Sequence, residues 1–191
     1  MEFIRLGKTD LMVSRSALDT DALFSAVQSG ESSPEDFADF MHVAYESGIN
    51  FFSVSAMHGF AAGTGQSNAA EPPEAFSKLS ALLNEIRKSV KLAFISEAAT
   101  GPELENDVRR ALDFWHIDYF DLCRIRDPGF VPSSGGSLYE SLKKLHENGT
   151  ILHTGFVSED FERIKEAADL YEAGTDQHGK IRILFQYLHL Q

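Results

Sequence analysis

LAFISEAATGPELENDVRRALDFWHIDYFDLCRI, residues 92–125, decides the fold class. Leu92–Ser96 is a short apolar run suited to a buried strand. Gly101-Pro102-Glu103 opens a helix, since proline fits the first turn and an acidic group there faces unpaired N–H donors. Leu104, Val108, Ala111 and Leu112 recur at helical spacing, and Tyr119–Ile125 supplies the next strand. A strand, a helix and a strand in succession imply parallel pairing through a crossover, because only a crossover returns the chain in the same direction.

The same cycle extends outward. Upstream, Ser32 or Ser33 with Pro34-Glu35 starts a helix carrying Phe37, Phe40, Met41 and Ala44 inward and stopping at Gly48, and Ile49–Val54 is a buried strand. Before it, Phe3–Leu6 and Leu11–Ser14 read as two extended pieces joined by a turn, Ser16–Asp19 as a first strand, and the residues through Ser32 as a polar region. Met57–Pro73 reads as a long loop, followed by a helix across Phe76, Leu79, Leu82, Leu83 and Ile86. Downstream, a helix from Leu138 to about Glu147 ends at Asn148-Gly149. Ile151–Gly155 is a short strand, Asp160–Tyr171 a helix and Ile181–Gln186 a sixth strand. Pattern alone fits an open doubly wound sheet and an incomplete barrel equally.

The chain has 191 residues, enough for one sizeable core, and we read 1–191 as a single domain. Its formal net charge of -12 repels phosphate backbones and anionic membranes, which argues against nucleic acid and lipid surfaces as partners. The single Cys123 excludes an intrachain disulfide and suits a reducing compartment. With no apolar run of membrane-spanning length and no signal-like N-terminus, a cytoplasmic location is expected.

Phe3–Arg15, Glu46-Ser47-Gly48-Ile49-Asn50-Phe51-Phe52, Ile117–Leu122 and Leu142–Gly149 together resemble the aldo-keto reductases, in family order and across nearly the whole chain. The resemblance implies an incomplete (β/α)8 TIM barrel of about six β/α units, with the N-terminal hairpin plugging its bottom and NADP(H) over the C-terminal strand ends. It also implies hydride transfer to a carbonyl, with a proton from a tyrosine tuned by lysine and histidine and backed by aspartate.

Those four roles fall on other residues here. The aspartate falls at Ser53, the tyrosine before Gly59 at His58, the lysine at Glu97 (or Ser96 with a one-residue shift), and the histidine at Arg126. Imidazole titrates near about 6.5, a different proton balance from a phenol beside a lysine. The resemblance therefore implies a degenerate catalytic set. Glu97 and Arg126 are expected at adjacent strand ends, where they can form a salt bridge. His58 with Glu97 as a new acid–base pair, and Ser53 or Ser55 with His58 as a hydrolytic pair, are weaker readings.

Among the implied cofactor contacts, Val157-Ser158 stand where the family has Ser-Asn, leaving Ser158 as a candidate, and Gln186 matches the family's glutamine. The resemblance places the seventh and eighth units, with much of the pyrophosphate and adenine recognition, beyond Gln191, so an incomplete barrel is expected. No cofactor is expected, or NADP(H) if binding is retained. No metal is expected either, since Asp19, Asp121 and Asp127 are scattered. Ser133–Ser137 reads as an ordinary connection, Cys123 as a buried hydrophobe, and Phe114 and Trp115 as packing residues. Six barrel strands leave two open edges, so a second copy or another protein is expected to cover them.

These readings favour a catalytically degenerate accessory or structural subunit. The alternatives are a divergent NADP(H)-dependent oxidoreductase acting on a carbonyl substrate and a non-catalytic small-molecule binding module.

Overall fold

The computed structural model describes residues 1–7, 9–55, 77–126, 137–158, 160, 162, 165 and 183–187. Strands β1 (Phe3–Arg5) and β2 (Met12–Ser14) form an antiparallel hairpin. Then come β3 (Leu18–Asp19), α1 (Thr20–Ser29), α2 (Pro34–Glu46), β4 (Phe51–Ser55), α3 (Ser77–Ile86), β5 (Lys91–Ser96) and α4 (Gly101–Trp115). The last described elements are β6 (Leu122–Arg126), α5 (Ser137–Glu147), β7 (Thr154–Ser158) and β8 (Ile183–Tyr187).

The larger sheet runs β3-β4-β5-β6-β7-β8, every neighbour parallel. A doubly wound sheet reverses its strand order at a switch point; here spatial order equals chain order throughout. The strands are consecutive staves of an incomplete (β/α)8 barrel, and that order settles what sequence periodicity left open.

Successive strand side chains point to opposite faces, and the core divides accordingly. Leu92 and Phe94 of β5 and Cys123 and Ile125 of β6 pack toward the helices, with Trp115 and Leu104. Ala93 and Leu122 face the other way and form a second cluster with Leu11 and Val13 of the hairpin. The hairpin is tied to the start of β4 by Asn50, whose Oδ1 accepts from Ser14 N at 2.7 Å and whose Nδ2 donates to the Met12 carbonyl at 3.1 Å. It therefore closes the N-terminal end of the barrel, as the resemblance implied.

Helix starts follow local chemistry. Ser33 caps α2 in a reciprocal box with Asp36, and Thr100 caps α4 with Glu103, each followed by a proline in the first turn. Three sequence readings need correction. Residues 20–29 form a helix rather than a polar connection, capped by Asp19, whose carboxylate accepts from Asp21 N. The strands read over 119–125 and 151–155 are 122–126 and 154–158; Phe120 and Ile151 make only an isolated bridge before them. Residues 57–73, and nearly all of 160–171, lie outside the described residues.

Candidate active site

Alternation along the strands selects the side chains that face the barrel axis near its C-terminal mouth. They are Ser53 on β4, Glu97 just beyond β5, Arg124 and Arg126 on β6, and Val157 on β7. Ser96 is excluded from that set, because its hydroxyl donates to Asp107 Oδ2 on α4 at 2.7 Å and its oxygen accepts from Ala98 N. Glu97 is the residue after β5 on the mouth-facing side, while Ser96 is engaged on the helix side.

Glu97 and Arg126 do meet: Arg126 Nε lies 3.5 Å from Glu97 Oε1, with side chains 45% and 67% exposed. A pair so open to water is weak, since solvent screening and side-chain entropy offset most of its attraction. Ser53 is engaged differently. Arg124 Nη2 donates to Ser53 Oγ at 2.5 Å, and the backbone carbonyl of Ser53 accepts from the buried Thr20 hydroxyl at 3.0 Å. Thus Ser53 accepts a hydrogen bond from an arginine inside the barrel.

Sequence reasoning missed Arg124. Its signal was present in the alternation Leu122, Arg124, Arg126, which puts all three on the face opposite Cys123 and Ile125. Arg124 is 9% exposed. Burial holds its guanidinium below the usual arginine range, and Asp19 is the chief opposing influence, ahead of Asp21. The same burial pushes the Cys123 thiol up to about 12, so this cysteine is an inert part of the helix-facing core.

The remaining candidates are placed as follows. Ser158 is buried and its Oγ accepts from Asp160 N at 3.0 Å, in a turn following β7. Its neighbour Val157 faces the interior, 2% exposed, because Phe156 packs with the helix-layer core. Gln186 pairs in register with Val157, which in turn pairs with Arg126, so three strand ends align at one level. His58, Asp127 and 133–136 lie outside the described residues. Asp19 is a helix cap, and Asp121 belongs to a buried ion cluster at the opposite end of the barrel with Arg87 at 2.9 Å and Lys91 at 3.4 Å. Trp115 packs edge-on against Phe24 and Phe114, as read. Among the described residues no group of three potential metal ligands occurs, and no helix is long and apolar enough to cross a membrane.

The comparisons with known proteins agree with this architecture. The holo form of an aldo-keto reductase from Bacillus halodurans superposes with a TM-score of 0.70 at 18% identity, covering 98% of this chain and 58% of that one. Glycerol dehydrogenase from Gluconobacter oxydans gives 0.63 at 17% identity, covering 88% of this chain and 52% of that one. At such identities the likeness is one of fold, and the chain spans little more than half the length of either protein. No curated protein matches. The model of the Aldo/keto reductase family matches residues 23–190, and with strand order and hairpin plug in agreement, this chain belongs to the aldo/keto reductase family.

Proposed function

We propose that this chain is a catalytically degenerate member of its family that acts through association, as an accessory or structural subunit. One observation carries the reading: the mouth positions that should hold the proton-transfer set are tied into two arginine contacts, Arg124 to Ser53 and Arg126 to Glu97. Family chemistry needs a phenol kept acidic by a neighbouring ammonium. A carboxylate at Glu97 reverses that influence, because a nearby negative charge favours the protonated phenol, and the tyrosine position itself is His58.

The cofactor contacts support the same reading. When bound, NADP(H) supplies the hydride in this family. The nicotinamide carboxamide needs polar partners at the end of β7, where Val157 presents hydrocarbon and the Ser158 oxygen already accepts from Asp160 N. These residues do not fit that group in the family manner. Gln186, the family-matching glutamine, lies in backbone register with Val157.

The sheet supports association. Among the described residues, β3 and β8 each have one strand neighbour in the six-stranded sheet. Strand edges with unpaired backbone groups invite pairing; a second copy or a different subunit covers them in our reading. Native mass spectrometry of the purified chain, and of the chain isolated from its source, with and without NADP(H), tests this. A cofactor-free oligomer or heteromer is expected. A monomer that takes up one NADP(H) would overturn the proposal and favour a divergent oxidoreductase.

A further inference from the structure

We propose that the outer edge of β1 pairs with the β1 edge of a second copy of this chain, joining two hairpins into one antiparallel sheet at the closed end of the barrel. The hydrogen bonding of the hairpin identifies the groups available. Arg15 N donates to the Glu2 carbonyl at 3.0 Å and Leu6 N to the Leu11 carbonyl at 2.9 Å, in the register that pairs Ile4 with Val13. Backbone groups of successive strand residues point to opposite edges, so those of Glu2, Ile4 and Leu6 turn toward β2 and those of Phe3 and Arg5 turn outward. Among the described residues β2 is the one strand paired with β1, and it takes up the inner edge.

Two observations favour a like hairpin as the occupant. Val13 is 1% exposed where it packs with Ala93 and Leu122, whereas Ile4, opposite it on the same face, is 41% exposed, so β1 lies outboard of the barrel floor. On the other face Phe3 is 46% exposed. The second observation is charge. Residues 1–15 carry Arg5, Lys8 and Arg15 against Glu2 and Asp10, a balance of +1, while the whole chain carries -12, leaving -13 for the remainder. Two copies therefore approach through their hairpins without the repulsion their other faces meet.

One register uses every outward group of the strand. Phe3 of each copy faces Arg5 of the other as a hydrogen-bonded pair, and Ile4 falls on the two-fold axis opposite its own counterpart. The Arg5 guanidinium then lies across from the Phe3 ring of the second copy on one face, and the two Ile4 side chains meet on the other. The edge is short, so the dimer is weak, with a dissociation constant in the micromolar range.

This inference extends association to an edge other than β3 and β8, and its test separates the two. A non-hydrogen-bonded antiparallel pair sets its Cα atoms about 4.5 Å apart, within the span of a disulfide, and the native Cys123 is buried. With oxidised glutathione, the full chain carrying Ile4→Cys should convert largely to a disulfide-linked dimer on a non-reducing gel, whereas Phe3→Cys, out of register with its own counterpart, should not. Ile4→Lys and Ile4→Glu each set like charges face to face and should weaken dimerisation severalfold in sedimentation velocity, and mixing the two variants should restore it. Absence of the Ile4→Cys cross-link, equal cross-linking of Phe3→Cys, or a parent oligomer that neither charge variant weakens would each overturn the assignment. The last outcome leaves pairing through the barrel edges standing, so the two proposals fail separately.

Discussion

The two ends of this barrel use the same residue types in opposite ways. At the N-terminal end Asp121, with its side chain 2% exposed, receives Arg87 at 2.9 Å and Lys91 at 3.4 Å. It also accepts the backbone N–H of Leu92 at 3.0 Å. Arg87 reaches on to the Tyr119 carbonyl at 2.8 Å and stacks its guanidinium over the Tyr119 ring. At the mouth, the Arg126–Glu97 pair is longer and more exposed, and the buried Arg124 donates to the Ser53 hydroxyl. A densely bonded ion cluster at the closed end is a structural fastening. At the open end one ion pair lies exposed at the rim and the buried arginine bonds to a hydroxyl on another strand.

Substitution separates the two ends most sharply at Asp121. Asp121→Ala leaves two cations without their shared anion in a buried setting and should cost about 3–5 kcal/mol, measured by urea unfolding. Arg124→Met, which removes the donor to Ser53 Oγ, should cost less, about 1–2 kcal/mol. Equal losses for the two variants would erase the contrast between the ends.

A smaller effect is expected from His153 at the closed end, whose Nε2 lies 2.9 Å from Asp10 Oδ1 of the hairpin. Burial lowers the His153 pKa, and Asp10 opposes that shift. The unfolded chain therefore takes up this proton first as pH falls. The His153 contribution to stability should be complete above about pH 6.5 and decline below it. Unfolding curves collected across that range should flatten in His153→Gln and steepen in Asp10→Asn, since the latter removes the influence that raises the pKa. The smallest change belongs to Glu97→Gln, which should alter stability by less than about 0.5 kcal/mol; a larger loss would make the rim pair structural after all.

Most of the fold could be read from residue patterns because its helices announce their starts. Ser33-Pro34 and Thr100 with Pro102 mark α2 and α4, and both caps are present. Helix α1 escaped because it follows a two-residue strand directly, and its polar opening, Asp19-Thr20-Asp21, looks like a loop. The strands β6 and β7 were placed early because Phe120 and Ile151 extend the apolar runs beyond the paired segments.

At the site, the Glu97–Arg126 contact was legible from adjacent strand ends, whereas Arg124 was not sought within a buried strand. Alternation from Arg126 would have found it. The link from Arg124 to Ser53 spans two strands on either side of β5, and such a contact becomes visible only when barrel curvature is known.

The central claim, that the mouth has given up the family's cofactor-dependent chemistry, is tested most directly by calorimetric titration of the purified chain with NADPH. The account predicts no saturable heat. Stoichiometric uptake with micromolar affinity would contradict it and return the chain to the oxidoreductases.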